Sequence, residues 1–289
     1  MFRFIFLSLF VFLGCTPPRE PQVRQDTPPQ RIISTLPSIT EVLFDIELGD
    51  RIVGDSFFTE YPPDVANIAK IGNQYGFNRE KIVSLKPDLV ILSVENVPLR
   101  QSSPAPVLIV DHRTLHGVLD SYLVIGDVFG VDTLTTAQKK RQELIEKLDD
   151  FEARVEGRKP IRTLICIDRS YGTGRVQNLF VAGANSFLND VVTRAGGENV
   201  AASLGLLAPQ LSAEGVIRLT PEVIIDLQVS GRDQSQSESD WYVLGDSVPA
   251  VKNGRILTLT DDFATIPGPR TPMLIEKIVQ YFESIEIVP

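Results

Sequence analysis

Cysteine, histidine and tryptophan are scarce in this chain, with two Cys, two His and one Trp among 289 residues. Two cysteines, Cys15 and Cys166, leave no disulfide framework and no multi-Cys zinc site. Two histidines, His112 and His116, exclude catalysis that rests on several imidazoles. Basic residues are outnumbered, 28 Lys and Arg against 37 Asp and Glu, for a formal charge of −9, and they form no run. A nucleic-acid binder needs a basic face to neutralise phosphates, so that class is excluded. No Gly-x-Ser-x-Gly elbow or Ser-x-x-Lys occurs after the N-terminal segment, so nucleophilic hydrolysis has no visible machinery and no enzyme is expected.

What is present describes a globular chain, 43% hydrophobic and 22% charged, long enough for one large or two modest domains. Arg3 precedes an apolar stretch, Phe4 to Leu13, far short of the roughly 20 residues that cross a bilayer but suited to a secretory h-region. Gly14-Cys15 follows at once, a pattern that resembles a bacterial lipoprotein signal with Cys15 as the lipid-carrying residue. Phe12 stands where Leu is more usual, and an ordinary cleaved signal or a short anchor remains the alternative. Thr16 to Gln30 carries five prolines among polar residues, the composition of an extended tether. The expected organisation is signal 1–15, tether 16–30, an N-terminal lobe 31–132, a connecting helix 133–159 and a C-terminal lobe 160–289, outside the cytoplasm and close to a membrane.

The folded part reads as alternating strands and helices. Strands are predicted at 31–35, 51–54, 88–92 and 107–110, then at 161–167, 179–182, 223–227 and 255–259. Helices are predicted from Pro37, with Ile39, Val42, Leu43 and Ile46 at helical spacing, and at 80–85, 114–129, 186–194, 213–219 and 271–284. Leu134, Ala137, Leu144, Ile145, Leu148, Phe151 and Val155 line one face of a single long helix, closed by Gly157 and Pro160. The fold class is therefore α/β, two lobes with largely parallel sheets joined by one long helix, leaving a ligand cleft between them.

An internal echo supports two related halves. Glu80-Lys-Ile-Val-Ser-Leu-Lys-Pro-Asp-Leu-Val-Ile91 aligns without a gap on Glu214-Gly-Val-Ile-Arg-Leu-Thr-Pro-Glu-Val-Ile-Ile225. Each copy is a short helix, a terminating proline and a buried strand. Glu80 and Glu214 stand two residues after the capping types Asn78 and Ser212. They either favour the positive end of a helix or form a two-point acidic surface for a two-fold partner.

The ordered motifs Arg31-Ile-Ile-Ser-Thr-Leu-Pro-Ser-Ile-Thr-Glu41, Gly49–Gly54, Tyr61-Pro-Pro-Asp64 and Glu80–Leu92 carry a resemblance into the second half. There follow Val181-Ala-Gly183, Asn185–Asp190, Ala195-Gly-Gly-Glu-Asn199, Leu211-Ser-Ala-Glu214, Val248–Arg255 and Pro267-Gly-Pro-Arg270. Together they resemble the helical-backbone class of ABC-transporter substrate-binding proteins, which includes vitamin B12, iron-siderophore and haem binders. The Tyr-Pro-Pro and Pro-Gly-Pro-Arg elements are most similar to its cobalamin-binding branch, although one Trp replaces the several that often line such clefts.

The resemblance implies no resident cofactor and a cobalamin-like corrinoid as ligand, with a ferric siderophore or haem as the alternative. It implies docking of Glu80 and Glu214 on a permease dimer that works with an ATPase. A corrinoid site holds a flat, amide-fringed ring on aromatic faces. The implied ligand residues are Phe58, Tyr61, Tyr75, Phe180, Trp241, Phe263 and Arg270, with Phe57 and Phe77 as further aromatic candidates. A remote alternative is an enzyme or metal-cofactor assembly subunit on the same fold. His112 and His116 are four apart, but without a third ligand they read as helix-start residues and no metal site is expected. Tyr171-Gly-Thr-Gly174 reads as a cleft loop or turn and Cys166 as a small buried hydrophobe.

Overall fold

The computed structural model describes residues 27–73, 76–228 and 237–285. The signal and all but the end of the tether lie outside these residues, as does Tyr75. The end of the tether is already docked. Pro29 is buried and its carbonyl accepts from Arg51 Nη1 at 2.8 Å, while Gln30 N donates to Asp88 Oδ2 at 2.8 Å.

The N-terminal sheet runs β3-β2-β1-β6-β7, where β1 is Ile32–Ser34, β2 Ile52–Asp55, β3 Ala69–Lys70, β6 Leu89–Ser93 and β7 Val107–Val110. All its pairings are parallel. A small antiparallel pair, β4 (Gly72–Asn73) and β5 (Gly76–Phe77), stands apart from it. The C-terminal sheet runs β11-β9-β8-β12-β13, with β8 Ile161–Asp168, β9 Leu179–Val181, β11 Gln210–Leu211, β12 Val223–Leu227 and β13 Ile256–Leu259. Strands β8, β12 and β13 are parallel, as is the short β10 (Gly197–Asn199) against β8, whereas β9 and β11 run antiparallel. The continuous apolar runs of β6 and β12 are buried throughout, because helices cover both faces of a parallel sheet.

The echo is visible as topology. Each repeat's strand, β6 or β12, lies between the first and last parallel strands of its lobe, β1-β6-β7 and β8-β12-β13. The matched acids after the prolines have the same task. Asp88 Oδ1 accepts from Arg31 N at 2.8 Å and Glu222 Oε2 accepts from Arg162 N at 3.1 Å. Each arginine then returns a hydrogen bond to the end of the repeat's helix, Arg31 Nη2 to Leu85 O at 2.6 Å and Arg162 Nη2 to Leu219 O at 2.7 Å. Lys86 and Thr220, each just ahead of its proline, share a left-handed backbone with φ of 47° and 44°. Proline disfavours the αR continuation at the residue before it, so the helix ends there in both lobes.

Helix α4 (Leu115–Phe129) turns at Gly130, whose φ of 98° suits glycine, directly into α5 (Val131–Val155). Helix α5 begins three residues before the periodicity predicts, and its 25 residues span roughly 37 Å. Ala137, Leu144, Leu148 and Phe151 bury one face. It packs on α4 in the first lobe and on α6 (Phe187–Arg194) and α10 (Thr271–Ser284) in the second. Strand alternation divides the core accordingly. Leu89, Ile91, Ile165 and Ile225 face one cluster that is continuous through both lobes, while Val90 and Ile224 face separate outer clusters. Two sheets therefore share one helical layer.

Candidate ligand-binding cleft

A cavity of about 790 Å³ lies between the lobes, within the rough 300–1,000 Å³ range of small-molecule sites. Its walls come from the carboxyl ends of the parallel strands, the usual place for ligands in open α/β sheets. Leu36 and Ser38 follow β1, Ser93 and Glu95 end or follow β6, and His112 and Arg113 follow β7. From the second lobe come Ile167 and Asp168 at the end of β8 and Leu227 and Gln228 at the end of β12. Phe58, Glu60, Tyr171, Leu207, Ala208, Asp262 and the 186–188 and 265–267 segments add to the wall. The Val181-Ala-Gly183 motif seats one loop of this wall. Gly183 N donates to Leu207 O at 2.9 Å, and a Cβ at Gly183 would collide with Leu206 O, so only glycine lets the two loops approach.

The charge of the wall is one-sided. Glu60, Glu95, Asp168 and Asp262 contribute carboxylates, and Arg113 is the only Lys or Arg among the described lining residues. Arg113 is already committed to Asp111, with Nη2 to Oδ2 at 2.6 Å and Nε to Oδ1 at 2.8 Å. That guanidinium holds the Asp111 carboxyl below its usual range. His112 is buried, and desolvation pushes its imidazole down to about 4, so it is neutral at pH 7.

Below the second-lobe wall lies a buried ionic network. Arg169 Nη2 meets Asp226 Oδ2 at 2.9 Å and its Nη1 meets Asp240 Oδ2 at 2.7 Å, all three side chains fully buried. Asp240 also accepts from Gly172 N and Gly174 N, both at 2.7 Å, which fixes the Tyr171–Gly174 loop against the cavity. Tyr171 stacks under Arg169 at 4.3 Å, and burial pushes its phenol pKa up. Cys166 beside this network is buried, with its thiol pKa pushed up by burial, as a small hydrophobe would be.

The residues implied by resemblance are dispersed. Phe58 lines the cavity and is half exposed. Tyr61 and Phe180 are exposed but outside the cavity wall. Trp241 belongs to the second-lobe core instead of the cleft, fully buried with its indole Nε1 donating to Asp226 Oδ2 at 2.9 Å. Phe263 is likewise buried, in the core shared by both lobes. Arg270 is not free to meet a ligand, because Glu41 and Asp262 occupy its guanidinium and Tyr61 covers its face at 4.2 Å. Aromatic composition alone gives no exposure, and these three side chains are claimed by packing and pairing. Among the further candidates, Phe57 is exposed and Phe77 packs against the outer first-lobe cluster.

His112 also differs from the sequence reading. Thr114, whose Oγ1 accepts from Gly117 N at 3.1 Å, is the cap of α4, and His112 instead lines the cavity, with its Nδ1 against Ser38 Oγ at 2.9 Å. His116 stays on the helix surface, paired with Asp120 at 3.2 Å. Gln228 carried no sequence signal beyond its place at the end of an apolar strand, the one cue that locates cleft residues in this fold.

Glu80 and Glu214 are exposed at the second positions of α2 (Arg79–Ser84) and α7 (Ala213–Leu219). The caps match too, Asn78 Oδ1 accepting from Lys81 N at 2.9 Å and Ser212 Oγ from Gly215 N at 3.3 Å.

Comparison with known proteins agrees with this architecture. A family model described as periplasmic binding protein matches residues 32–263. The vitamin B12-binding protein of Vibrio parahaemolyticus serotype O3:K6 is 27% identical over 90% of this chain and 91% of its own. The crystal structure of the periplasmic vitamin B12 binding protein BtuF of Vibrio cholerae superposes with a TM-score of 0.74 at 25% identity, over 89% of this chain and 98% of that one. The periplasmic heme-binding protein RhuT from Roseiflexus sp. RS-1, in apo form, reaches 0.72 at 26% identity, over 88% and 98%.

Proposed function

The chain belongs to the periplasmic binding protein family, and from that premise we propose that it captures a cobalamin-like corrinoid in the cleft and delivers it to an ABC importer. The observation that carries the ligand is the charge of the wall. Glu60, Glu95 and Asp168 face one guanidinium that is already paired, while the fourth carboxylate, Asp262, is held by Arg270. An anionic chelate, or a haem with its two propionates, enters such a cavity against repulsion, whereas a ring fringed by neutral amides does not. The similarity to vitamin B12-binding relatives supports the same choice.

Capture requires no chemistry on the ligand. The loaded protein then presents Glu80 and Glu214, one exposed carboxylate per lobe, to basic pockets on a permease dimer that works with its ATPase. The site of action is outside the cytoplasmic membrane, where a lipid on Cys15 and the Pro-rich stretch would tether the folded body.

Equilibrium titration of the purified protein by calorimetry with cyanocobalamin, haemin and a ferric siderophore panel tests the ligand. Binding of cyanocobalamin alone supports the proposal, and absence of corrinoid affinity ends it. The haem reading is favoured by the likeness to RhuT and by the unpartnered Nε2 of neutral His112. It predicts a Soret shift on binding haemin that His112→Gln abolishes.

A further inference from the structure

His112 and Gln228 reach the cavity from opposite lobes, and each is only 4% exposed. Each also presents a buried polar atom, His112 Nε2 and Gln228 Oε1, with no hydrogen-bond partner among the described residues. Buried polar atoms are almost always paired, so two orphans on one cavity mark where an incoming group completes the site.

Gln228 has a defined orientation. Its Nε2 donates to Asp226 Oδ2 at 3.0 Å, and a carboxylate oxygen accepts, so the amide nitrogen faces Asp226 and Oε1 is left without a partner beside the cavity. Asp226 is itself held by Arg169 and by Trp241, which makes this acceptor a rigid one. Oε1 demands a donor. His112 Nδ1 lies 2.9 Å from Ser38 Oγ, and the neutral ring offers at Nε2 either a hydrogen or a lone pair, according to which way the Ser38 hydroxyl turns.

We infer that His112 and Gln228 are the specificity residues of the cleft and that they read primary carboxamides on the ligand rim, one from each lobe. A carboxamide carries both N–H donors and a carbonyl acceptor, so it satisfies Oε1 and either state of Nε2. A carboxylate has no hydrogen for Oε1 and meets Glu60, Glu95 and Asp168 besides. The inference rests on the corrinoid reading and deepens it, since it names the groups by which such a ring is distinguished from one bearing acids.

Calorimetric titration with cyanocobalamin and with its monocarboxylic derivatives, in which one rim amide has been hydrolysed to an acid, tests the inference. Wild type is expected to bind at least one monoacid tenfold or more weakly than cyanocobalamin. Gln228→Met should weaken cyanocobalamin tenfold or more and bring that ratio to within threefold. His112→Gln should weaken cyanocobalamin at least threefold, and His116→Gln, on the α4 surface, should leave it unchanged. Unchanged cyanocobalamin affinity in Gln228→Met, or retained discrimination, overturns the inference while the corrinoid reading stands. Should thermal melting show Gln228→Met unfolded, wild-type ratios within threefold together with an unaffected His112→Gln overturn it. Wild type that binds haemin and no corrinoid overturns the parent reading and the carboxamide assignment together.

Discussion

Glu41 and Arg270, 229 residues apart, meet across the lobes in a two-pronged ion pair, Nη2 to Oε1 at 2.6 Å and Nε to Oε2 at 3.0 Å. Glu41 rides on the first helix, α1 (Pro37–Asp45), and Arg270 stands immediately before α10. Nearby, Phe187 N donates to Arg113 O at 2.6 Å and Leu115 N to Asp190 Oδ2 at 3.1 Å, again between lobes. The lobes are thus tied by directed bonds beside the cleft as well as by the shared helical layer. Removing one member of a buried pair leaves the other desolvated and unpaired. Glu41→Gln should cost about 3 kcal/mol, the low end for a broken buried pair because Asp262 still holds Arg270. Urea denaturation measures this, and a loss below about 0.5 kcal/mol would show that the pair is structurally idle.

Two buried groups give stability opposite pH slopes. The His112 imidazole is held near 4 by burial, so the folded protein resists protonation; the neutral form's contribution is complete above about 6.5 and is lost as pH falls toward 4. Asp55 is pushed up to about 6 by desolvation despite Lys70 at 3.0 Å. Its contribution is complete below the ordinary Asp pKa and is lost as pH rises through 6. Comparing urea midpoints at pH 4.5 and 6.5, His112→Gln should make stability rise less with pH than in wild type. Asp55→Asn should make it rise more. Changes of the same sign in both variants would refute the assignment.

The matched arginine clamps should be worth similar amounts. Arg31→Met strips donors from Leu85 O and Lys86 O, and Arg162→Met strips one from Leu219 O. About 1–2 kcal/mol each is expected, since the freed carbonyls are partly wet. A loss confined to one lobe, read as a single shifted denaturation midpoint among the two variants, would mean that the repeats no longer share this role.

Charge reversal at the docking positions should separate transport from binding. Glu80→Lys and Glu214→Lys place cations at exposed helix N-termini, a cost within about 1 kcal/mol. Ligand affinity should stay within twofold while uptake into cells or vesicles falls by tenfold or more. Lost ligand affinity instead would place these residues in the pocket or the fold.

Trp241 should behave as a core residue. Its emission is expected to resist acrylamide quenching, and Trp241→Phe should cost about 1–3 kcal/mol by removing an indole donor from Asp226. Strong quenching of the free protein would contradict the buried placement.

The elements were legible because periodicity is local. The long helix, the strands at 107–110 and 223–227 and the helix at 271–284 follow from apolar spacing read a few residues at a time. The short strands β3, β4, β5, β10 and β11 and the helix α3 (Val97–Ser102) were not read, since none of them carries the apolar run or the repeated unit that marked the other short elements. The cleft was only partly legible. Phe58 beside Tyr61-Pro62-Pro63 was singled out and lines the cavity, but Trp241 and Phe263 resemble cleft aromatics in composition while being buried. His112 looked like a helix-start residue because its neighbour Ser38 is 74 positions away.

What the amino-acid order determined by itself is the pair of repeated units and the rod between them, because helix-stopping prolines, caps and buried runs act through neighbours on the chain. What only the tertiary structure decided is which polar side chains are used up and which are left over. Arg270 is consumed by Glu41, Trp241 by Asp226, while His112 and Gln228 arrive at the cleft with an atom to spare. That division depends on partners brought together by two sheets folding onto one helical layer: Glu41 and Arg270 are 229 positions apart, and even Asp226 and Trp241 belong to different elements.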